Sequence, residues 1–318
     1  MREKKIGILC VQETHLMNEH ITSINSVFSR RLKVLNSSDP DRPGSSAGVA
    51  FVINKELVED KNYKMLELVP GRAIALTIQW HNDETITIIN IYAPNAANEH
   101  PLFWEKIQKK WEEYEMNDPD FMMGDFNITE DPIDRAPARP DNENATNALR
   151  DLRLKLNIQD SWRLTFPNTR IFTYASSVNT LSRLDRIYTH PKHDDSLIDW
   201  KTNPSNIPTD HNLVQVRYAP PNSPHIGKGR WTWPLGLLNE KTLLKNIVDA
   251  GIKLEEHLTE HDNTQSERNN PQVLWESFKI QISEETKKVA RSHLAKINQR
   301  ITQLQKDIKQ TCNETTLD

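Results

Sequence analysis

Cysteine is almost absent from this chain: only Cys10 and Cys312 occur. No disulfide framework and no cysteine-based zinc site can form, and a reducing, intracellular compartment is the natural expectation. Long apolar runs are missing too. A membrane-spanning helix needs about 18 consecutive apolar residues, and none occurs, so no membrane partner is expected. The apolar stretch at residues 6–11 stops at Gln12 and Glu13, too soon for a secretory signal, and the chain is not expected to be secreted. There is no His-Glu-x-x-His pair and no glycine-rich phosphate loop, which removes zinc-hydrolase and P-loop chemistry. Neither sign of charge dominates: a formal net charge of -4 over 318 residues argues neither for nor against nucleic acid. The length allows one large domain with an appendage, or two domains.

What is present centres on Phe121-Met122-Met123-Gly124-Asp125-Phe126-Asn127, an apolar run that ends in glycine and then offers a carboxylate and a carboxamide. A buried strand that stops there presents these groups at its carboxyl edge, where ligand sites of open sheets lie. The strand period of two aims Asp125 and Asn127 the same way. A carboxylate can take a proton from water, while a carboxamide holds that water or a phosphate oxygen without adding charge. Taken alone, the pair reads first as a strand ending in an Asx turn.

Along the chain, residues 6–11 read as a buried strand ending at Glu13. An amphipathic helix follows over about 17–30, with Met17, Ile21, Ile24 and Phe28 at helical spacing. A loop at 37–46 leads into a strand at 48–53. Residues 72–80 and 84–92 alternate cleanly and are expected to pair as an antiparallel hairpin around Asn82-Asp83. Pro94 stops the second strand and leaves Tyr92 and Asn95 at its mouth. A helix over 99–115 carries Trp104, Ile107 and Trp111 on one side, and another carries Leu149, Leu152 and Leu156. Short strands at 170–175 and 184–189 flank a polar loop at 176–182, and strands near 195–200 and at 213–218 bracket Thr209-Asp210-His211. The sum is an α/β chain with two packed, mostly antiparallel sheets flanked by helices.

From residue 220 the character changes. Proline and glycine make 220–239 a linker, and 240–318 reads as a helical, basic tail with helices at 240–258 and 271–310. Leu294, Ile297, Ile301, Leu304 and Ile308 recur at coiled-coil spacing, a candidate helix–helix contact over 294–308 against its own domain, a neighbouring helix or a second copy. Residues 286–310 carry seven Lys or Arg against one acid, Asp307. Such a face can meet phosphate backbone, although a solvated face is the commoner explanation.

Glu13, Tyr92 with Asn95, Asp125 with Asn127, and Asp210-His211 all fall at the ends of expected strands, and Asp185 is a fifth candidate. Each alone has an ordinary explanation. Together they supply what metal-assisted phosphodiester hydrolysis requires. A hard divalent cation such as Mg²⁺ wants carboxylate oxygen, which Glu13 offers. The attack needs an oriented water and stabilised charge on the phosphate oxygens. An Asp-His pair provides an imidazolium, held in place by another carboxylate.

Five motifs occur in order: Ile-Leu-Cys-Val-Gln-Glu-Thr-His at 8–15, Asn-Ile-Tyr-Ala-Pro-Asn at 90–95, Gly-Asp-Phe-Asn at 124–127, Ser-Arg-Leu-Asp-Arg-Ile at 182–187 and Thr-Asp-His at 209–211. Over roughly residues 6–218 this resembles the endonuclease/exonuclease/phosphatase, or deoxyribonuclease I-like, family. The wording is similar to the endonuclease domain of LINE-type, non-LTR retrotransposons. The resemblance implies a four-layer α/β sandwich, a Mg²⁺- or Mn²⁺-dependent nick in DNA, and a nuclear location. It implies Glu13 and Asp210 as metal ligands and Tyr92 and Asn95 as phosphate contacts. Asp125 and Asn127 would position and activate the water, and Asp185, Asp210 and His211 would form the carboxylate–histidine group. The loop residues Ser176, Ser177, Asn179, Thr180 and Ser182 would contact DNA. Thr209 stands where serine is usual and keeps a hydroxyl. The family also begins with an asparagine-bearing strand and a helix ahead of the glutamate strand, and only twelve residues precede Glu13 here. The resemblance therefore implies a domain over 1–219 that lacks this segment and is weakened by the loss. In full-length elements a reverse transcriptase follows. Two alternatives stand beside the nuclease: an inactive transposon relic that at most binds nucleic acid, and a phosphomonoesterase of the same fold, since fold alone does not choose between nuclease and phosphatase chemistry.

Overall fold

The first apolar run forms β1 (Ile8–Gln12), and α1 (Asn18–Val27) follows it. β2 (Leu32–Ser37) and β3 (Val49–Asn54) complete an antiparallel sheet in the order β1-β3-β2. Next come β4 (Tyr63–Val69), β5 (Ala73–Gln79), β6 (Thr85–Tyr92), α2 (His100–Glu113) and β7 (Phe121–Asp125). β8 (Arg135–Ala136), α3 (Glu143–Lys155), α4 (Ser161–Thr165), β9 (Tyr174–Ala175), β10 (Leu181–Ser182) and β11 (Asp185–Thr189) lead to β12 (Leu197–Pro204) and β13 (Asn212–Tyr218). These belong to a compact unit built on Met1–Ser223, and a second unit, Pro224–Thr311, is built on α5 (Lys241–Glu260) and α6 (Pro271–Cys312). The structure is a computed structural model that describes residues 1, 4–80, 84–178, 180–205, 207–220, 232–260 and 270–313. The expected turn at Asn82-Asp83 and the linker residues 221–231 lie outside the described residues.

The central sheet runs β11-β7-β6-β5-β4 and is antiparallel except for β6 and β7, which are parallel and joined through α2 as a crossover requires. Both of its faces are covered, so both alternating sets of side chains are apolar. Ile74, Leu76, Ile78, Ile86 and Ile88 pack toward Val49, Phe51 and Ile53 of β3. Ala73, Ala75, Ile89, Ile91 and Met122 pack on the opposite face with Phe103, Trp104, Ile107 and Trp111 of α2 and Leu149 and Leu152 of α3. Each large apolar side chain buried this way contributes about 1.5–3 kcal/mol, so these two cores hold the layers in place. Asn90, fully buried between them, gives its amide protons to the Val11 and Ala50 carbonyls and accepts from Gln12 at 2.6 Å, tying β6 to the β1 and β3 backbone. α1 forms the outer layer on the other side, where Asn25 bonds the Val34 backbone through both ends of its amide. The result is the expected α/β sandwich.

The layer facing the central sheet comes in two parts, β1-β3-β2 and an antiparallel β12-β13 pair whose Leu197, Val214, Val216 and Tyr218 join the same core. Sequence patterning assigns no strand at 32–36 or 63–69, yet β2 and β4 lie there as edge strands. The expected strand at 170–175 shortens to β9, part of a small β8-β10-β9 sheet. In the second unit, Leu237, Leu243 and Ala290 form a small core with Ile247 and Val289. The seam residues Leu294, Ile297, Ile301, Leu304 and Ile308 are all exposed. No helix among the described residues is long and apolar enough to cross a membrane.

Candidate active site

Register assembles the site. Tyr92, the last residue of β6, pairs with Asp125, the last of β7, and Asp125 pairs with Asp185, the first of β11. Directly paired residues share a face of a sheet, and Phe121, Ile187 and Tyr92 on that face line the core between the two β layers. The row therefore points into the rim of the sandwich. Gly124 is what lets β7 approach β6 here: its φ is +141°, and a Cβ would lie 2.0 Å from the Ile91 carbonyl oxygen.

Two further groups complete the row. Tyr92 donates its hydroxyl to Glu13 at 2.5 Å, and His211 lies with Nδ1 2.8 Å from Asp185 Oδ2. Glu13 has a left-handed backbone (φ 52°) just past β1 and is exposed. Burial, then the bond to Glu13, holds the Tyr92 phenol neutral by pushing its pKa up. Asp125 is 5% exposed, and burial followed by the Asp185 charge raises it to about 7, against the pull of His211. For His211, burial opposes the charged form, but the hydrogen bond and charge of Asp185, with Asp125 and Asp210, outweigh it and raise the imidazole to about 9. The site thus pairs a reluctant carboxylate with a willing imidazolium.

Asn127 is reached differently from the strand-period expectation, which is corrected. β7 ends at Asp125, and Asn127 adopts φ 51° beyond it. Its N–H donates to Asp125 Oδ1 at 2.9 Å, so the Asx turn and the site are the same structure. Its Nδ2 donates to the Ala93 carbonyl and to Asn95 Oδ1, which brings Asn95 in; Oδ1 of Asn127 has no protein donor among the described residues. Asp210 is exposed, with its carbonyl accepting from the Ala175 N–H. Ser176 closes a turn by accepting from the Thr180 N–H, and Ser177 is exposed on it. Tyr174, at the base of this turn, bridges to His211 and sets its ring 4.8 Å away. Ser182 does not belong to the exposed loop: it is 2% exposed in β10. Asn179 lies outside the described residues.

Asp125, Asp185 and His211 place one ligand atom each within 4.8 Å of one another. Glu13 and Asp210 are not part of that tight group. With Glu13 bonded to Tyr92 and Asp210 acting on His211 beside this group, the rim is rich in carboxylate oxygen, the chemistry of a hard divalent cation, and the raised Asp125 carboxyl marks a concentration of negative charge that a cation would relieve. Sequence patterning missed Arg72, whose guanidinium stacks 5.0 Å over the Tyr92 ring. It also missed the depth of Arg183, which is 4% exposed between Asp134 and Asp160 and anchors the start of β11. Neither leaves a local signal, because each acts on a residue brought near by folding.

A layered α/β sandwich with carboxylates and a charged histidine at one rim defines a class of hydrolases. The profile of the Endonuclease/Exonuclease/phosphatase family matches residues 1–211, and the chain belongs to that family. It is similar to the Transposon TX1 uncharacterized 149 kDa protein of Xenopus laevis, at 26% identity over 255 residues, 79% of this chain and 19% of that protein. The chain thus spans about a fifth of that relative's length. Among solved structures it is similar to AP endonuclease LMAP from Leishmania major, with a TM-score of 0.57 and 16% identity over 70% of this chain and 80% of that one. It is also similar to the endonuclease domain of TRAS1, a telomere-specific non-LTR retrotransposon, with a TM-score of 0.50 and 15% identity over 69% and 88%. At these identities the likeness to solved structures is one of fold.

Proposed function

We propose that this chain is a retrotransposon-type endonuclease domain that nicks DNA by divalent-cation-dependent phosphodiester hydrolysis, acting in the nucleus. The carrying observation is the Tyr92–Asp125–Asp185 row with His211 bonded to its end. Asp125, held at about 7, takes the proton of the attacking water, since a base works best with a pKa near the operating pH. Asn127 Oδ1 orients that water. His211, charged at neutral pH, donates to a phosphate oxygen, and Asp185 fixes its ring and supports its charge. Tyr92 and Asn95 hold the phosphate, and Ser176, Ser177 and Thr180 contact the DNA beside it. Glu13 and Asp210 would hold Mg²⁺ or Mn²⁺, which supplies Lewis-acid polarisation of the phosphate when bound.

The test is supercoiled plasmid incubated with the purified chain and Mg²⁺ or Mn²⁺, with and without chelator. Relaxed circles should form only when the cation is free. No relaxation under any of these conditions sinks the nuclease reading, and turnover of a phosphomonoester without nicking would replace it with a phosphatase of the same fold.

A further inference from the structure

Thr173 sits between the two halves of the site and contacts it only through backbone groups, taking no part in the proposed chemistry itself. It is 1% exposed. Its Oγ1 accepts the N–H groups of both Leu184 and Asp185, each at 3.0 Å, and its own hydrogen faces the Ser182 carbonyl at 3.5 Å. A threonine hydroxyl has two acceptor positions and one donor, so this one is fully used. The Thr173 backbone works in the other direction: its carbonyl accepts from the Asn212 N–H at 2.7 Å, and two residues on the Ala175 N–H reaches the Asp210 carbonyl at 3.1 Å. One short segment therefore holds the Asp185 backbone with a side chain and the Asp210–Asn212 backbone with main-chain groups.

We propose that Thr173 is a positioning residue that sets the Asp185–His211 pair, its hydroxyl fixing where Asp185 stands relative to a histidine anchored by the backbone of the same segment. The inference rests on the reading of that pair as catalytic. The main-chain bonds survive any substitution at 173, whereas the two bonds to Leu184 and Asp185 need the hydroxyl. Valine keeps the volume and branching but leaves two buried N–H groups without a partner. The start of β11 must then shift toward another acceptor, and Asp185 moves with it.

The experiment compares Thr173→Val and Thr173→Ser in the full chain. With valine, kcat for cation-dependent plasmid nicking should fall about 10- to 100-fold, the scale expected when a reacting constellation is displaced by about an ångström, while KM for DNA stays unchanged. Serine should restore kcat. An independent readout needs no activity: the low-field proton resonance of His211 Nδ1–H bonded to Asp185 should be present in the parent chain and the serine variant and lost with valine. Unchanged kcat and resonance in the valine variant, with only a lower melting temperature, overturns the inference and leaves Thr173 a structural residue. If the valine variant does not fold, Thr173→Cys carries the same test, since a thiol fills the space of serine but accepts hydrogen bonds weakly. If the parent chain does not nick DNA, the nuclease reading fails while the resonance still decides the positioning role.

Discussion

In the proposed reaction Asp125 and His211 have opposite protonation requirements. The base must be ionised, and burial with the neighbouring Asp185 raises Asp125 to about 7 in the cation-free site, so the rate should rise with pH, with a midpoint that moves below about 7 as added cation relieves that charge. The imidazole must be protonated, and Asp185 keeps it so up to about 9, so the rate should fall above it. A bell-shaped profile of kcat/KM is expected, and Asp125→Ala or His211→Ala should each cost on the order of 10²-fold or more in nicking with the circular dichroism spectrum unchanged. Unaltered nicking by either variant removes the role assigned to it. Asp185→Asn leaves burial, which disfavours the charged ring, without the charge that outweighs it, so the His211 titration followed by NMR should move down from about 9. The linkage has a matching sign. The folded chain holds the His211 proton more tightly than an unfolded histidine titrating at 6.5, so this contribution to stability is whole below 6.5 and is lost as pH rises through about 9.

At the scale of elements, the site depends on how closely β6 and β7 lie. The parallel pairing puts Ile91 opposite Gly124 and Tyr92 opposite Asp125. Gly124→Ala drives a methyl into the Ile91 carbonyl, where backbone must move because no flexible side chain can give way. A loss of about 3 kcal/mol or more in urea unfolding is expected, at the upper end for single substitutions. A variant within experimental error of the parent would mean that the two strands are not this close. At the other end of the row, β11 is fixed from behind by Arg183, whose Nε and Nη2 bond Asp134 at 2.8 and 3.0 Å and whose Nη2 reaches Asp160 at 2.5 Å. That network connects the loop after β7, the cap of α4 and the residue two before Asp185.

At the scale of the molecule, every candidate site residue from Glu13 to His211 falls within the unit Met1–Ser223. Limited proteolysis is expected to release this unit, and the isolated fragment should unfold cooperatively and retain cation-dependent plasmid nicking. A folded fragment that has lost nicking would assign part of the function to Pro224–Thr311, where α6 presents the exposed seam of Leu294, Ile297, Ile301, Leu304 and Ile308.

Local periodicity was enough to find the β5–β6 hairpin, α2, α3 and the last strand, because alternation and helical spacing are set by neighbouring residues along the backbone. Motif order was enough to single out Glu13, Tyr92, Asp125, Asp185 and His211 as candidates, which the fold brings to one rim. β2 and β4 escaped because they are edge strands that expose part of each face, so polar residues such as Lys64 and Glu67 break the apolar pattern. The left-handed Asn127, the buried Ser182 and the clamp at Thr173 were not legible either. Tyr92 and Glu13 are 79 residues apart, and His211 and Asp185 are 26 apart. Which atoms meet over such separations is decided by register and by the packing of whole layers, which no local pattern encodes, and it is this packing that turns ordinary carboxylates and a histidine into a carboxyl held at about 7 and a cation held to about 9.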